Sequence, residues 1–414
     1  MGQFSFGQSV PRTEDPRLLR GEGRFISDFT LPGQAYGYVL RSPHAHAQIL
    51  SIDTEIAKRA PGVLAVFTEK DLAADGLGTT RVKMPRKRPD GSPIYQNPHP
   101  GLARDRVRFV GDYVAYVVAE TLNQAKDAAE LIAIDYRLLP ANVDTATAIE
   151  PGTAPVWDDC PDNISNLFEQ GDEAAVDAAF KIAHHVTRQR FVISRILPTA
   201  MEPRGCIGAY DRYEDRHTIY CAVGNIHAVR GLLARDVFGV PENQFRVICG
   251  DIGGAFGSKG VTAPENIISL YASKKLGRPV KWIAERSEGL LADEHCRDNV
   301  SDVELALDEN GIFQALRVRT LCSLGAYLNS DRNLQATFGN LGSLAGVYRT
   351  PAIHVSVFGV FTNTMSTATY RGAGRPEATY LIEGIIDRAA RETGIERVEL
   401  RRRNIIPSEK MPFK

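Results

Sequence analysis

RVRFVGDYVAYVVAETLNQAKDAAELIAIDYRLLP, residues 106–140, is the stretch that sets the fold class. Two strand-like apolar runs flank Gly111-Asp112, a turn pair. Residues 121–132 then repeat apolar side chains at helical spacing behind Thr121, a residue type that caps helix N-termini. IAIDYRLLP returns to strand character and is closed by Pro140. Upstream, residues 36–50 read as a strand running into RSPHAHAQI, and residues 63–68 as a buried strand. The Gly-, Pro-, Lys- and Arg-rich stretch from Leu72 to Pro100 reads as a long exposed loop. The β–β–α–β order predicts an α/β domain over residues 1–145.

Residues 146–175 are acidic, contain Pro, Gly and Asp, and show no sustained period, so they read as a linker. Residues 176–414 resume as strands and helices. A helix is expected from Thr262, with Glu265 as the partner in a capping box and Pro264 in the first turn, ending at Gly277. Another runs from about Pro376 to Gly394, a C′ glycine. A third covers about Ile226 to Phe238. The last residues, RRRNIIPSEKMPFK, follow a helix without a closing strand and read as a break within a domain.

The bulk numbers exclude some classes. The chain has 414 residues, 43% hydrophobic and 24% charged, with a formal net charge of −1. Nothing in that balance favours nucleic acid or an anionic membrane. The apolar runs are too short for a membrane span, and the N-terminus has no apolar core of a signal peptide. Both point to a cytoplasmic protein. Cys160, Cys206, Cys221, Cys249, Cys296 and Cys322 form no C-x-x-C pair, so they read as inert buried thiols and not as disulfides, a zinc site or an iron–sulfur site.

Four segments could carry chemistry. DIGGAFGSKG, Asp251 to Gly260, follows the apolar run FRVIC and precedes a helix. Its glycines let backbone N–H groups approach an anion, and the helix N-terminus adds positive potential. It is neither a Walker loop nor a GxGxxG fingerprint, and the bland alternative is a tight strand–helix turn. TATYRGAGRPEAT, Thr367 to Thr379, sets Arg371 and Arg375 around a small-residue loop before a helix. That suits an anion or a polarised carbonyl, or else two solvated arginines. MEPRGCIGAY, Met201 to Tyr210, offers Glu202 and Arg204 as a functional or a structural ion pair. In RSPHAHAQI, His44 and His46 fall two apart on one strand face, a metal-ligand spacing without a third ligand. They read as structural, as do His184, His185 and His227.

These segments, taken in order, resemble one family. RSPHAHA at 41–47, FVGDYVAYVVAE at 109–120, IDYRLLP at 134–140, MEPR at 201–204, GGAFGSK at 253–259 and YRGAGRPE at 370–377 are similar to the molybdopterin-binding large subunits of the xanthine oxidase family, in the branch of aerobic carbon monoxide dehydrogenase large chains. The likeness covers essentially the whole chain, and six motifs in register are far more specific than any one. It implies an α/β (α+β) architecture: an N-terminal aldehyde oxidase/xanthine dehydrogenase-type hammerhead domain, then the first part of a molybdopterin-binding domain. It implies hydroxylation of an aldehyde or N-heteroaromatic C–H with water as oxygen source. The second molybdopterin-binding domain and the general-base Glu would lie on another polypeptide. The resemblance further implies a molybdenum–molybdopterin cofactor, with the cytosine dinucleotide form as one option. [2Fe–2S] clusters would sit on a small partner subunit and FAD on a medium one.

Residue by residue, Gly253, Gly254, Ala255, Phe256 and Gly257 would present backbone amides to the cofactor, and Gly372, Ala373 and Gly374 would cover the metal. Arg371 and Glu202 would face a small-molecule substrate, Arg371 as the electrostatic catalyst. No residue of this chain would ligate the metal directly. Asn225, or Gly224 if the chain is gapped near His227, stands where the family carries a Gln that meets the cofactor. Gly372 stands in place of the copper-binding Cys of carbon monoxide dehydrogenases, and Gly260 in place of the purine-reading Glu of xanthine-specific members. The intact glycine and arginine loops argue for a catalytic subunit. The absent Gln and the absent second half argue for a non-catalytic assembly subunit.

Overall fold

The computed structural model describes residues 7, 9–260, 263–335 and 343–412. Fifteen strands are described: β1 Ala35–Arg41, β2 Ala47–Asp53, β3 Val63–Phe67, β4 Arg106–Val107, β5 Tyr113–Ala119, β6 Ala133–Leu138, β7 Ile164–Gly171, β8 His185–Ile196, β9 Gly205–Asp211, β10 Arg216–Cys221, β11 Phe245–Ile248, β12 Val280–Ile283, β13 Cys296–Leu307, β14 Phe313–Gly325 and β15 Ala352–Phe361. They form a seven-stranded sheet in the order β11-β10-β9-β12-β1-β5-β3, a five-stranded sheet β7-β15-β14-β13-β8 and a small sheet β4-β2-β6. The architecture is mixed α/β, as the alternation of elements predicts.

The quoted stretch shows how it works. All seven residues of β5 are buried, because the strand lies between β1 and β3 with cover on both faces. Side chains alternate across a strand. Ala115, Val117 and Ala119 meet Ala125, Ala128 and Ala129 of helix Leu122–Glu130, while Tyr116 and Val118 enter the main core. That helix starts where expected: Thr121 accepts from Gln124 N, and Gln124 Oε1 accepts from Thr121 N (3.1 Å).

The main core also buries helix Pro264–Leu276, whose residues Glu265 to Ser273 are all buried. Tyr116 and Ser269 share a hydrogen bond of 2.8 Å between it and β5. On the five-stranded sheet, helix Arg375–Thr393 places Ala378, Leu381, Ile382, Ile385, Ile386 and Ala389 at three- and four-residue spacing against Phe191, Val303, Leu316 and Val355. It ends at Gly394, in the left-handed conformation that stops a helix.

Several expectations change. The strand expected over 36–50 breaks at Ser42-Pro43, where the Ser42 hydroxyl accepts from His44 N (3.0 Å). His44 and His46 therefore leave the strand: His46 Nδ1 donates to Pro140 O (2.7 Å), and His44 lies edge-on to Tyr136. Residues 72–100 begin in helix Glu69–Ala74 and are not all exposed, since Val82, Met84, Ile94 and Tyr95 pack on the main core. Within 146–175 lies β7, an edge strand whose pairing comes from β15, far along the chain. Thr262 lies outside the described residues; Asn266 Oδ1, not Glu265, accepts from Ala263 N (2.9 Å). The helix over 226–238 opens into a wide π turn at Leu232–Phe238. All six cysteines are free, and five are buried. Among the described residues no helix is long and apolar enough to cross a membrane.

Candidate active site

β11 ends at Ile248, and the chain then turns through Asp251–Gly260. The turn is anchored from below. Glu202 accepts from Gly253 N (2.9 Å), Lys259 Nζ (2.8 Å) and Ile26 N (3.1 Å), and its own N–H donates to Gly253 O (3.1 Å). The Lys259 and Glu202 side chains are 2% and 8% exposed. Burial pulls the Lys259 ammonium below its ordinary pKa, and the Glu202 carboxylate opposes that. Asp251 receives both Nη groups of Arg17 (2.7 and 2.6 Å) and Arg24 N (2.7 Å), and the Arg17 fork holds its carboxyl at about 2. The N-terminal segment thus straps the glycine turn. Under the turn a cavity of about 40 Å³, lined by Arg204, Ser258, Lys259 and Trp282, has room only for a few waters.

The outer side of the turn is open. The backbone N–H groups of Gly254, Ala255, Phe256 and Gly257 donate to nothing among the described residues. Phe256 itself sits at φ 49°, in the left-handed region, and is exposed. Gly257, at φ 121°, lies so close to Thr369 that a Cβ there would overlap the Thr369 carbonyl oxygen. The second loop therefore touches the first. Arg371 N donates to Phe256 O (2.9 Å), and Ala373 N closes a turn onto Tyr370 O (2.7 Å). Arg371 is exposed, and its guanidinium makes no hydrogen bond or ion pair with any described residue.

Asn225 is brought to the same neighbourhood, because Gly224 N donates to Lys259 O (2.8 Å). Its Oδ1 caps its own helix by accepting from Ala228 N (3.0 Å), so only the Nδ2 donor is free. Glu202, expected at the substrate, is turned under the loop instead, its oxygens occupied by three internal donors. Arg204 is structural. It makes a two-pronged pair with Glu265 (2.8 and 3.0 Å), which Arg41 joins at 2.8 Å. Burial alone would raise the Glu265 carboxyl, but Arg204 and Arg41 bring it to about 2.

Three residues were not foreseen. Arg297 pairs with Glu377 and donates to Arg371 O (3.2 Å), and Arg332 donates to Gly257 O. Glu377 stands within the quoted YRGAGRPE, but nothing in the sequence singles out Arg297 or Arg332. Elsewhere Glu169, Glu173 and His354 bring ligand atoms within 4.8 Å of one another. His354 pairs in register with Arg317, which binds Asp177 and Glu304, so this group continues a surface ladder of alternating charge.

An α/β frame that leaves four successive backbone donors and a nearby arginine without partners among the described residues suits an anionic ligand. Comparison with known proteins is specific about which. Residues 156–405 match the molybdopterin cofactor-binding domain and residues 20–140 the aldehyde oxidase and xanthine dehydrogenase a/b hammerhead domain, and the chain belongs to this xanthine oxidase-type family. It is 35% identical over 99% of its length to the 6-hydroxypseudooxynicotine dehydrogenase complex subunit gamma of Paenarthrobacter nicotinovorans, of which it covers 51%. It is 33% identical over 97% of its length to the carbon monoxide dehydrogenase large chain of Afipia carboxidovorans, of which it covers 50%. Among solved structures, quinoline 2-oxidoreductase from Pseudomonas putida 86 matches 99% of this chain and 51% of its own, at 34% identity and a TM-score of 0.89. The chain thus spans about half the length of these relatives. The nicotinate dehydrogenase large molybdopterin subunit of Eubacterium barkeri, 27% identical over 95% of this chain, is covered to 88%.

Proposed function

We propose that this chain is one part of the catalytic large subunit of a molybdenum hydroxylase that oxidises an aldehyde or an N-heteroaromatic C–H with water as oxygen source. One observation carries the reading: the Arg371 N to Phe256 O hydrogen bond, 2.9 Å, joins the loop with the unpartnered N–H groups to the loop that carries Arg371. The residues fit a molybdopterin centre. Its sulfur and oxygen ligands are anionic acceptors, and four successive unpartnered N–H groups in a glycine-rich turn suit such acceptors. When bound, the cofactor supplies oxygen transfer and takes up two electrons.

In this reading Gly254 to Gly257 hold the cofactor through main-chain donors, with Gly372, Ala373 and Gly374 alongside; Gly253, expected among these donors, instead gives its N–H to Glu202 and fixes the turn from below. Asn225 Nδ2 offers one further donor in place of the usual Gln. The Arg371 guanidinium faces the substrate and stabilises the negative charge that develops on its oxygen or ring nitrogen. Carbon monoxide is disfavoured as substrate. Gly372 sits at φ 97° with the Pro376 ring where a Cβ would go, so a copper-binding Cys would be strained there.

The general base, the second molybdopterin-binding half, a small iron–sulfur subunit and a medium FAD subunit belong to partner chains. The open face supports this, because Met201, Ile252 and Phe256 leave apolar surface beside the donor row that another chain would cover. The cytosine dinucleotide is one option for the form of the pterin. Six free thiols support a reducing, cytoplasmic setting.

The test is elemental and pterin analysis of the purified assembly, followed by Arg371→Ala. Molybdenum and pterin are expected at wild-type content in the variant, while kcat falls by about a hundredfold or more. An assembly without molybdenum and pterin overturns the reading, and unchanged turnover removes Arg371 from the site.

A further inference from the structure

The Arg371 guanidinium makes no hydrogen bond or ion pair with any described residue, so the backbone that carries it has a large share in where it points. That backbone is fixed at two atoms. The N–H is bonded to Phe256 O (2.9 Å), and the carbonyl accepts from Arg297 Nη2 (3.2 Å). We infer that Arg297 is a positioning residue, which aims Arg371 by holding its carbonyl oxygen; this rests on the reading of Arg371 given above.

The local structure around Arg297 is built for that hold. Arg297 and Asp298 have φ of 66° and 69°, two successive non-glycine residues in the left-handed region inside a strand. Such strain persists only where surrounding contacts enforce it. The pairing of β13 with β8 keeps its register through this kink, from Arg297↔Arg195 to Asn299↔Ile193, with Asp298 between the two pairs. Asp298 anchors this left-handed pair by accepting from Thr145 Oγ1 (2.8 Å) and Arg195 Nε (2.9 Å).

From this left-handed position the Arg297 side chain reaches the 370–377 segment. Its Nη1 pairs with Glu377, its Nη2 reaches Arg371 O, and the guanidinium lies over the Tyr370 ring at 5.1 Å. The side chains of Arg297 and Glu377 are 10% and 3% exposed. Three contacts made by one flat fork need Arg; a lysine ammonium could keep the pair with Glu377 but not all three.

Two variants in the full assembly test this. R297K keeps a cation beside Glu377. R297Q/E377Q removes both charges together, so that neither is left buried alone. In each, hydrogen exchange at the Arg371 and Ala373 amides should rise about tenfold, with helix Pro264–Leu276 unchanged. In each, kcat should fall about tenfold while KM stays within about twofold and molybdenum content holds. Wild-type exchange at 371–373 in both variants overturns the inference. Faster exchange with wild-type turnover overturns it too, because the hold would then be structural only. The exchange result stands whether or not the assembly carries molybdenum, so failure of the functional reading shows separately in the metal analysis.

Discussion

Glu202 carries the clearest consequence at the scale of single residues. Its carboxylate and the Lys259 ammonium are both buried, so removing one charge strands the other. E202Q is expected to lower the unfolding free energy by about 3 kcal/mol, and E202Q/K259M to recover more than half of that loss. Urea unfolding of the three proteins checks it; a double variant as unstable as E202Q would refute the pairing. The direction of Glu202 was not legible in the sequence. Its donors come from Ile26, Gly253 and Lys259, and only the last two lie in one quoted motif. The glycine turn and Arg371 were legible because residue type alone limits what they can do. Arg297 was not, because its reach depends on a left-handed backbone at Arg297 and Asp298 and on partners far along the chain, which no local pattern encodes.

Elements followed the sequence where one local signal decides and departed from it where distant groups decide. Thr121 and Gly394 end their helices as their residue types require. Glu265 has the spacing of a capping residue, yet two arginines from other elements claim it, and Asn266 does the capping. β7 has too little periodicity to be seen alone, since its order comes from pairing with β15. The β10–β11 pair offers a test. His217 is buried and lies flat against Phe245, ring centres 4.7 Å apart, with Phe238 and Tyr210 also beside it. Burial, helped by Lys274, lowers its pKa from 6.5 to about 4. The folded state therefore takes up this proton later than the unfolded state does. Above about pH 6.5 His217 contributes no pH dependence; between there and about pH 4 it removes up to about 3 kcal/mol of stability. H217F should flatten that part of the profile of thermal midpoint against pH. Parallel profiles for wild type and H217F would show that the ring titrates normally.

On the scale of the whole molecule, the two matched regions share one frame. The seven-stranded sheet takes β1, β5 and β3 from the first and β9 to β12 from the second, joined where β1 pairs with β12 at Ala35↔Val280 and Tyr36↔Lys281. Buried polar contacts cross the same boundary. Arg41 binds Glu265 and Glu288, Asn363 Nδ2 donates to Arg108 O (3.1 Å), and Arg108 stacks over Trp157 at 3.4 Å. Composition marked residues 146–175 as a linker between separate units, and composition carries no information about a sheet that closes across it. A continuous sheet with buried ion pairs should unfold as one cooperative unit, because neither side can leave without exposing unpaired strand edges and charges. The connection can be cut without disturbing that sheet. Gly152 is exposed, has φ 88°, and nothing lies within 4 Å of a Cβ built on it. A protease site inserted at Gly152 and cleaved after folding should leave two fragments that co-elute in native buffer and melt in a single transition. Fragments that separate on gel filtration, or two resolved transitions, would mean that the shared sheet does not couple the regions and that each holds its own side of the site.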